Sequence, residues 1–119
     1  MDGLHITADL QGCAGAPALL TDTAALRALC LQAVQAAGLR AVGELFSAYE
    51  AGGGGITGVV LLAESHLAVH TWPELGAVTL DVYVCNYGQD NSAKAEQVLQ
   101  ALLAAFAPQR QGVNRLQRG

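Results

Sequence analysis

Strict alternation of side-chain type from Val78 to Cys85 is the feature that most constrains the fold. The even positions of this segment are all apolar. The odd positions are Thr79, Asp81, Tyr83 and Cys85. A period of two is typical of a β-strand with one buried face. Residues 4–10 repeat the pattern, with His5, Thr7 and Asp9 on the second side. Each strand therefore has one apolar face for the core and one polar face that is either solvated or a site.

Two other segments have the spacing of amphipathic helices, and three more are extended. The helices follow caps at Thr21 or Asp22 and at Asn91 or Ser92, and they end at Gly38 and before Pro108. The extended segments are Arg40–Tyr49, Ile56–Ala63 and Leu67–Trp72. The glycine run Gly52–Gly55 predicts a flexible hairpin, and Pro73–Gly76 predicts a turn.

The predicted order is β-α-β-β-β-β-α within a single domain, residues 1–119. Each helix has one apolar stripe to bury, so both helices pack against the sheet. We therefore expect an α+β fold, a two-layer α/β sandwich whose predominantly antiparallel sheet carries two helices on one face. The polar tail, residues 109–119, forms a last strand or none.

Composition excludes several classes of protein. The chain has 119 residues, 52% of them hydrophobic, so it is not disordered. A net charge of −4 argues against nucleic-acid binding, which depends on neutralising phosphates. No apolar run approaches the roughly 20 residues of a membrane helix. Three cysteines without a CxxC pair and the lack of a secretory signal indicate the cytoplasm. Only 13% of residues are charged, which suggests that a partner covers some of the surface.

Reactive side chains concentrate between Glu64 and Glu74, with Cys85 on the next strand. Two histidines at i and i+4 share a metal on a helix, but His66 and His70 on a strand are about 13 Å apart, so we expect no metal there. The GxSxG motif of a serine hydrolase is missing around Ser65. On its own, Cys85 also suits a small buried core residue.

The run ESHLAVHTWPELG followed by DVYVC resembles the signature of the bacterial-type S-adenosylmethionine decarboxylases. These small enzymes cleave themselves to create a pyruvoyl cofactor. The resemblance extends to residues 5–13 and to Ile56–Val60, so it covers most of the chain. It implies a zymogen whose product enters spermidine and polyamine biosynthesis, and a homodimer with active sites near its interface.

The resemblance implies a role in self-cleavage for four residues. The Glu64–Ser65 bond would be the cleavage site, giving chains 1–64 and 65–119. The Ser65 hydroxyl would attack the Glu64 carbonyl to form an ester. Elimination of that ester would leave dehydroalanine, which hydrolyses to the pyruvoyl group in place of Ser65. His70 matches the acid–base residue of the elimination, a role that suits imidazole. Thr57 matches a residue that supports processing.

The resemblance also implies roles in catalysis. The substrate amine would form a Schiff base with the pyruvoyl group derived from Ser65, and CO2 would then leave. Cys85 matches the proton donor. Glu74 matches a carboxylate that contacts the ribose hydroxyls, and Tyr49 falls at the position of an aromatic side chain that stacks on adenine. Ser47 stands where a histidine is common, and the loop after Tyr49 departs from the family pattern.

Three functions stay open at this point. The first is decarboxylation of S-adenosylmethionine. The second is pyruvoyl-dependent decarboxylation of L-ornithine or L-arginine on the same scaffold, which the altered loop would suit. The third is an inactive small-ligand-binding module. The residues also pose a geometric problem, because Ser65 and His70 lie about 16 Å apart on a straight strand. We expect the chain to fold back or to bulge between them.

Overall fold

A computed structural model describes residues 2–49 and 54–119 of the protein. Its strands are β1 (Gly3–Cys13), β2 (Ala41–Ala48), β3 (Ile56–Leu62), β4 (Ser65–Trp72), β5 (Ala77–Cys85) and β6 (Pro108–Arg118). Its helices are α1 (Ala18–Thr21), α2 (Thr23–Ala36) and α3 (Ser92–Phe106), with a 3-10 turn at Pro73–Leu75. Gly52 and Gly53, half of the glycine run in the predicted hairpin, lie outside the described residues.

The strands form one antiparallel sheet in the order β2-β3-β4-β5-β1-β6. Helices α2 and α3 pack on one face of this sheet, and their buried residues join those of β1 and β5 in a single core. The predicted α+β sandwich is therefore confirmed. The polar tail forms β6, which pairs with β1 over its whole length. The short helix α1 was not expected from the sequence.

Asp22 caps α2, because its side chain accepts a hydrogen bond of 2.9 Å from the backbone N–H of Ala24. Helix α2 ends before Gly38, whose φ of +80° glycine adopts without strain. Cys30 lies on the buried stripe of this helix, and burial raises the pKa of its thiol to about 12. Cys30 is therefore a core residue with no tendency to form a thiolate.

Thr71 is the buried polar residue that ties α1 to the sheet. Its hydroxyl donates to the carbonyl oxygen of Leu20 at 2.8 Å and accepts from the backbone N–H of Ile56 at 2.9 Å. Two groups that would otherwise be buried without partners are thus satisfied. The bond holds the start of β3 against the end of β4, where Thr57 and His70 pair.

The second face of the sheet carries no helix, and we call it the open face. It presents His5, Thr7, Asp9, His66, His70, Thr79, Asp81 and Tyr83. None of the helices in residues 2–49 and 54–119 combines the length and the apolar character that crossing a membrane requires.

Candidate active site

The hairpin between β3 and β4 places Ser65 directly after a strained residue. Leu62 pairs with Ser65, so Ala63 and Glu64 form the turn. Glu64 has φ +61°, a left-handed conformation that usually requires glycine at the second position of such a turn. For an L-residue with a side chain this conformation costs roughly 1–2 kcal/mol. Strain is therefore stored in the residue that provides the carbonyl of the Glu64–Ser65 bond.

Cys85 lies beside Ser65 because β4 and β5 are antiparallel neighbours. Their register pairs His66 with Tyr83, which brings the end of β5 next to the start of β4. The backbone N–H of Cys85 donates to the Ser65 Oγ at 3.1 Å. Glu64, Tyr83, Cys85 and Tyr87 line a cavity of about 430 Å³. Its volume lies within the range of small-molecule sites.

His70 contacts Thr57 at the opposite end of the β3–β4 hairpin. The two residues are paired across the strands, and His70 Nδ1 lies 3.1 Å from Thr57 Oγ1. Thr57 Oγ1 also lies 3.5 Å from the Tyr49 hydroxyl oxygen. The Thr57 hydroxyl can donate to His70 Nδ1 or accept from it, depending on the tautomer of the ring. An imidazole held in this way can serve as an acid or a base.

The strand between Ser65 and His70 is regular, so the expected fold-back or bulge is wrong. The pairings of β4 with β3 and with β5 run without a shift in register. Five residues of extended chain place the two side chains about 16 Å apart. The candidate site residues therefore fall into two separate groups. We call Ser65, Glu64 and Cys85 the first half-site, and Tyr49, Thr57 and His70 the second half-site.

Glu74 and Trp72 extend the second half-site. Glu74 is exposed in the 3-10 turn that follows β4. The Trp72 ring lies 6.0 Å from the His70 ring, centroid to centroid, and is 38% exposed. Tyr49 is 62% exposed on the neighbouring strand connection. Two aromatic faces, an imidazole and a carboxylate are thus available to a ligand at this end of the sheet.

A third group of polar side chains lies in the middle of the open face and was not predicted. His5 Nε2 and His66 Nε2 lie 2.8 and 2.7 Å from the same oxygen, Asp81 Oδ2. His5 and His66 both pair with Tyr83, so their rings converge on the next residue on that face of β5. The alternation placed His5 and Asp81 on one face, but only the register shows that His66 joins them.

The ligand atoms of His5, His66 and Asp81 lie within 4.8 Å of one another, as the ligands of a metal would. The position of Arg118 favours hydrogen bonds among these side chains over a shared metal. Its guanidinium is 3.3 Å from His5 Nδ1 and can only donate a hydrogen bond. With Nδ1 as the acceptor, a hydrogen bond from His5 to Asp81 needs the proton on Nε2, and this arrangement competes with metal binding by that nitrogen.

Comparison with known proteins gives matches over nearly the whole chain. The family model described as S-adenosylmethionine decarboxylase matches residues 4–119. An S-adenosylmethionine decarboxylase proenzyme of Archaeoglobus fulgidus is 35% identical over 107 residues, which are 90% of this chain and 88% of the relative. The crystal structure of the adenosylmethionine decarboxylase from Aquifex aeolicus superimposes with a TM-score of 0.86 at 34% identity, covering 98% of this chain and 90% of the other.

A more distant structure shares the fold. The Trypanosoma brucei AdoMetDC monomer matches with a TM-score of 0.53 at 13% identity. The match covers 94% of this chain but only 44% of the Trypanosoma chain. The fold of the present chain thus corresponds to less than half of that longer protein.

Proposed function

Because the chain belongs to the S-adenosylmethionine decarboxylase family, we propose that it is a self-processing, pyruvoyl-dependent decarboxylase of S-adenosylmethionine. Its product would serve spermidine synthesis, as the family implies. The observation that carries the proposal for this chain is the strained residue Glu64 directly before Ser65, with the buried Cys85 beside them.

Self-cleavage begins, in this proposal, with attack of the Ser65 hydroxyl on the Glu64 carbonyl carbon. The ester that forms replaces the Glu64–Ser65 peptide bond. Removal of the Ser65 α-proton as the Cβ–Oγ bond breaks then separates chains 1–64 and 65–119, and hydrolysis of the dehydroalanine at position 65 releases ammonia and leaves the pyruvoyl group. The left-handed conformation of Glu64 favours this reaction, because cleavage frees the residue from the turn. Pairing of Leu62 with Ser65 holds the hydroxyl close to the turn until the bond breaks.

The pyruvoyl group left at position 65 supplies a carbonyl that binds the substrate amine and withdraws the electron pair released with CO2. Cys85 is the proton donor to the carbon that loses CO2. Cys85 is only 7% exposed, and its backbone N–H donates to Ser65 Oγ. Cys85 also lines the cavity described above. A thiol in this position can reach a substrate that fills the cavity.

The second half-site of the active centre comes, we infer, from a second copy of the chain. His70 lies about 16 Å from Ser65 in one copy, which is too far for proton transfer. A two-fold arrangement that reverses β4 brings the start of each β4, with the Glu64–Ser65 bond, next to the His70 and Thr57 of the other copy. The open face suits such contact, because Leu45, Leu61, Trp72 and Leu116 lie on it with 38–70% of their surface exposed.

Substrate recognition in this proposal uses the exposed groups of the second half-site. Tyr49 stacks on the adenine ring, and the Glu74 carboxylate accepts hydrogen bonds from the ribose hydroxyls. Both side chains are exposed and lie next to the end of β4, so a bound nucleoside can reach them without rearrangement of the core.

A panel of three labelled substrates tests the assignment. We expect CO2 release from carboxyl-labelled S-adenosylmethionine, with ornithine and arginine at least about 100-fold slower in kcat/KM, because neither amino acid offers a base or a ribose to bind. Faster release from ornithine or arginine would assign the chain to the second substrate class. If cleaved protein released no CO2 from any of the three substrates, an inactive ligand-binding module would be the remaining hypothesis.

Relief of the strain at Glu64 is expected to stabilise the fold and to slow cleavage. Glu64→Gly should raise the unfolding free energy by about 1 kcal/mol, measured by denaturant titration of uncleaved chains that also carry Ser65→Ala. With Ser65 present, the same change should slow cleavage about fivefold in a mass-spectrometric time course.

Ala107 offers a matched control. Among the described residues other than glycine, Ala107 is the second one with a left-handed backbone, at φ +47°. Ala107→Gly should stabilise the fold similarly and leave the cleavage rate unchanged. Glu64→Gln keeps the strained backbone and should cleave at the wild-type rate. Equal cleavage rates for Glu64→Gly and the wild type would show that strain does not drive the reaction.

A further inference from the structure

The backbone of Cys85 is held from both sides. Its N–H donates to Ser65 Oγ at 3.1 Å, and its carbonyl oxygen accepts from Asn91 Nδ2 at 2.8 Å. Cys85 is the last residue of β5, where the ladder with β1 ends at the Gly3–Cys85 pair. Without further contacts, the end of a strand is free to fray. The two bonds fix the direction in which the Cys85 side chain leaves the backbone.

Asn91 is itself held by a second asparagine. Its backbone N–H donates to Asn86 Oδ1 at 2.7 Å, and Asn86 Nδ2 donates to Ser92 Oγ at 3.0 Å. The backbone N–H of Asn86 donates to the carbonyl oxygen of Asp2 at 2.7 Å. These bonds close a ring between the end of β5 and the start of α3. We call this ring, formed by Cys85, Asn86, Asn91 and Ser92, the asparagine clamp.

Asn91 occupies the N-cap position of α3 but does not cap the helix. An N-cap asparagine ordinarily accepts a backbone N–H of the first turn, and here no such side-chain bond is present. Asp90 accepts the backbone N–H of Ser92 at 2.9 Å instead, and this bond holds the pKa of the Asp90 carboxyl below its usual range. The Asp90 carboxylate thus accepts the N–H at the start of α3, and the Asn91 side chain donates to the Cys85 carbonyl instead.

We propose that Asn91 is a positioning residue that fixes Cys85 for delivery of its proton to the decarboxylated carbon of the substrate. The inference rests on the proposed function. The Ser65 contact does not survive processing in its present form, because Oγ leaves Ser65 with the Glu64 carboxylate when the Cβ–Oγ bond breaks. The Asn91 contact involves no atom that processing changes, so it persists in the active enzyme.

Misplacing the thiol has a chemical consequence that can be measured. After CO2 leaves, the electron pair is shared between the substrate carbon and the pyruvoyl carbon. A proton delivered to the substrate carbon gives the amine product. A proton delivered to the pyruvoyl carbon, followed by addition of water, leaves the substrate nitrogen on the enzyme and releases the substrate carbon as an aldehyde. The new chain then begins with alanine at position 65 and is inactive.

The test replaces Asn91 by aspartate, which keeps the size and the N-cap preference of the residue and removes the Nδ2 donor. In cleaved Asn91→Asp we expect kcat to fall about tenfold with KM within about twofold of wild type, as for loss of one partly buried hydrogen bond. The fraction of chains that gain an N-terminal alanine per turnover, measured by peptide mass spectrometry, should rise about tenfold. Gln89→Ala, an exposed change in the same loop, should match the wild type.

Three results overturn the proposal. Wild-type kcat and wild-type alanine formation in Asn91→Asp would show that the contact does not guide the proton. A fall in melting temperature that accompanies the fall in kcat, with alanine formation unchanged, would assign Asn91 a structural role only. Failure of Asn91→Asp to cleave would place its role in processing. A wild-type protein that neither cleaves nor releases CO2 would instead refute the proposed function itself.

Discussion

Replacing Ser65 by alanine is expected to leave a single uncut chain without decarboxylase activity. The methyl side chain has no oxygen to attack the Glu64 carbonyl, so neither the new chain end nor the pyruvoyl group can form. Activity should fall by about 10⁴-fold or more, since a group required for every turnover is missing. Denaturing mass spectrometry should show chains 1–64 and 65–119 for the wild type and only the full 119 residues for Ser65→Ala.

A variant that keeps a nucleophile separates chemistry from folding. Ser65→Cys carries a thiol on the same carbon and should cleave more slowly than the wild type but measurably. Both variants keep a small side chain next to Cys85, so their far-ultraviolet circular dichroism should match that of the wild type. A wild-type chain that stays whole after long incubation, or cleavage in Ser65→Ala, would contradict the processing mechanism.

Two inactive variants are expected to restore cleavage when they are produced together. Ser65→Ala retains His70, and His70→Ala retains Ser65, so neither homodimer has a complete site if the half-sites come from different copies. A mixed dimer has one complete site, built from Ser65 of one chain and His70 of the other. With equal amounts and random pairing, about half of the His70→Ala chains lie in mixed dimers and should be cleaved.

Mass spectrometry identifies which chain is cut, because the two variants differ in mass. The cut chain must be His70→Ala, and the Ser65→Ala chain must stay whole. Light scattering of Ser65→Ala alone should show a dimer at low micromolar concentration. Cleavage that is absent from the mixture but present in a monomeric wild type would place His70 and Ser65 of one chain in the same site and refute the shared centre.

Restored cleavage in the mixture tests the structure more directly than loss of cleavage in Ser65→Ala does. It depends on the distance between Ser65 and His70, which follows from strand geometry. His70 and Ser65 pair with opposite ends of β3, with Thr57 and with Leu62. No rotation of side chains closes a gap of about 16 Å. Either β4 leaves the sheet or a second copy provides the missing group, and the experiment decides between these two.

Much of the architecture was predictable from local patterns. The alternation in residues 78–85 requires a strand with one buried face, and the helical stripes require a layer on that face. The α+β class and the family resemblance are both stated from the sequence, and the structure and the comparisons confirm them. The predicted elements also occur in the predicted order, with α1 as an unexpected addition. Residues 109–119 carry little apolar alternation, so their sequence does not determine whether they form a strand. Pairing with β1 rather than local preference stabilises β6.

The sequence by itself determined which groups exist and on which side of each strand they lie, because the period of two is a local property of the backbone. Only the tertiary structure decided which of these groups meet. Strand order and register bring Cys85 to Ser65, separate Ser65 from His70, and place His5 and His66 on Asp81. The same holds for the bond from Asn91 to Cys85. Register depends on contacts between residues far apart in the chain, and a pattern within one strand contains no information about its neighbour.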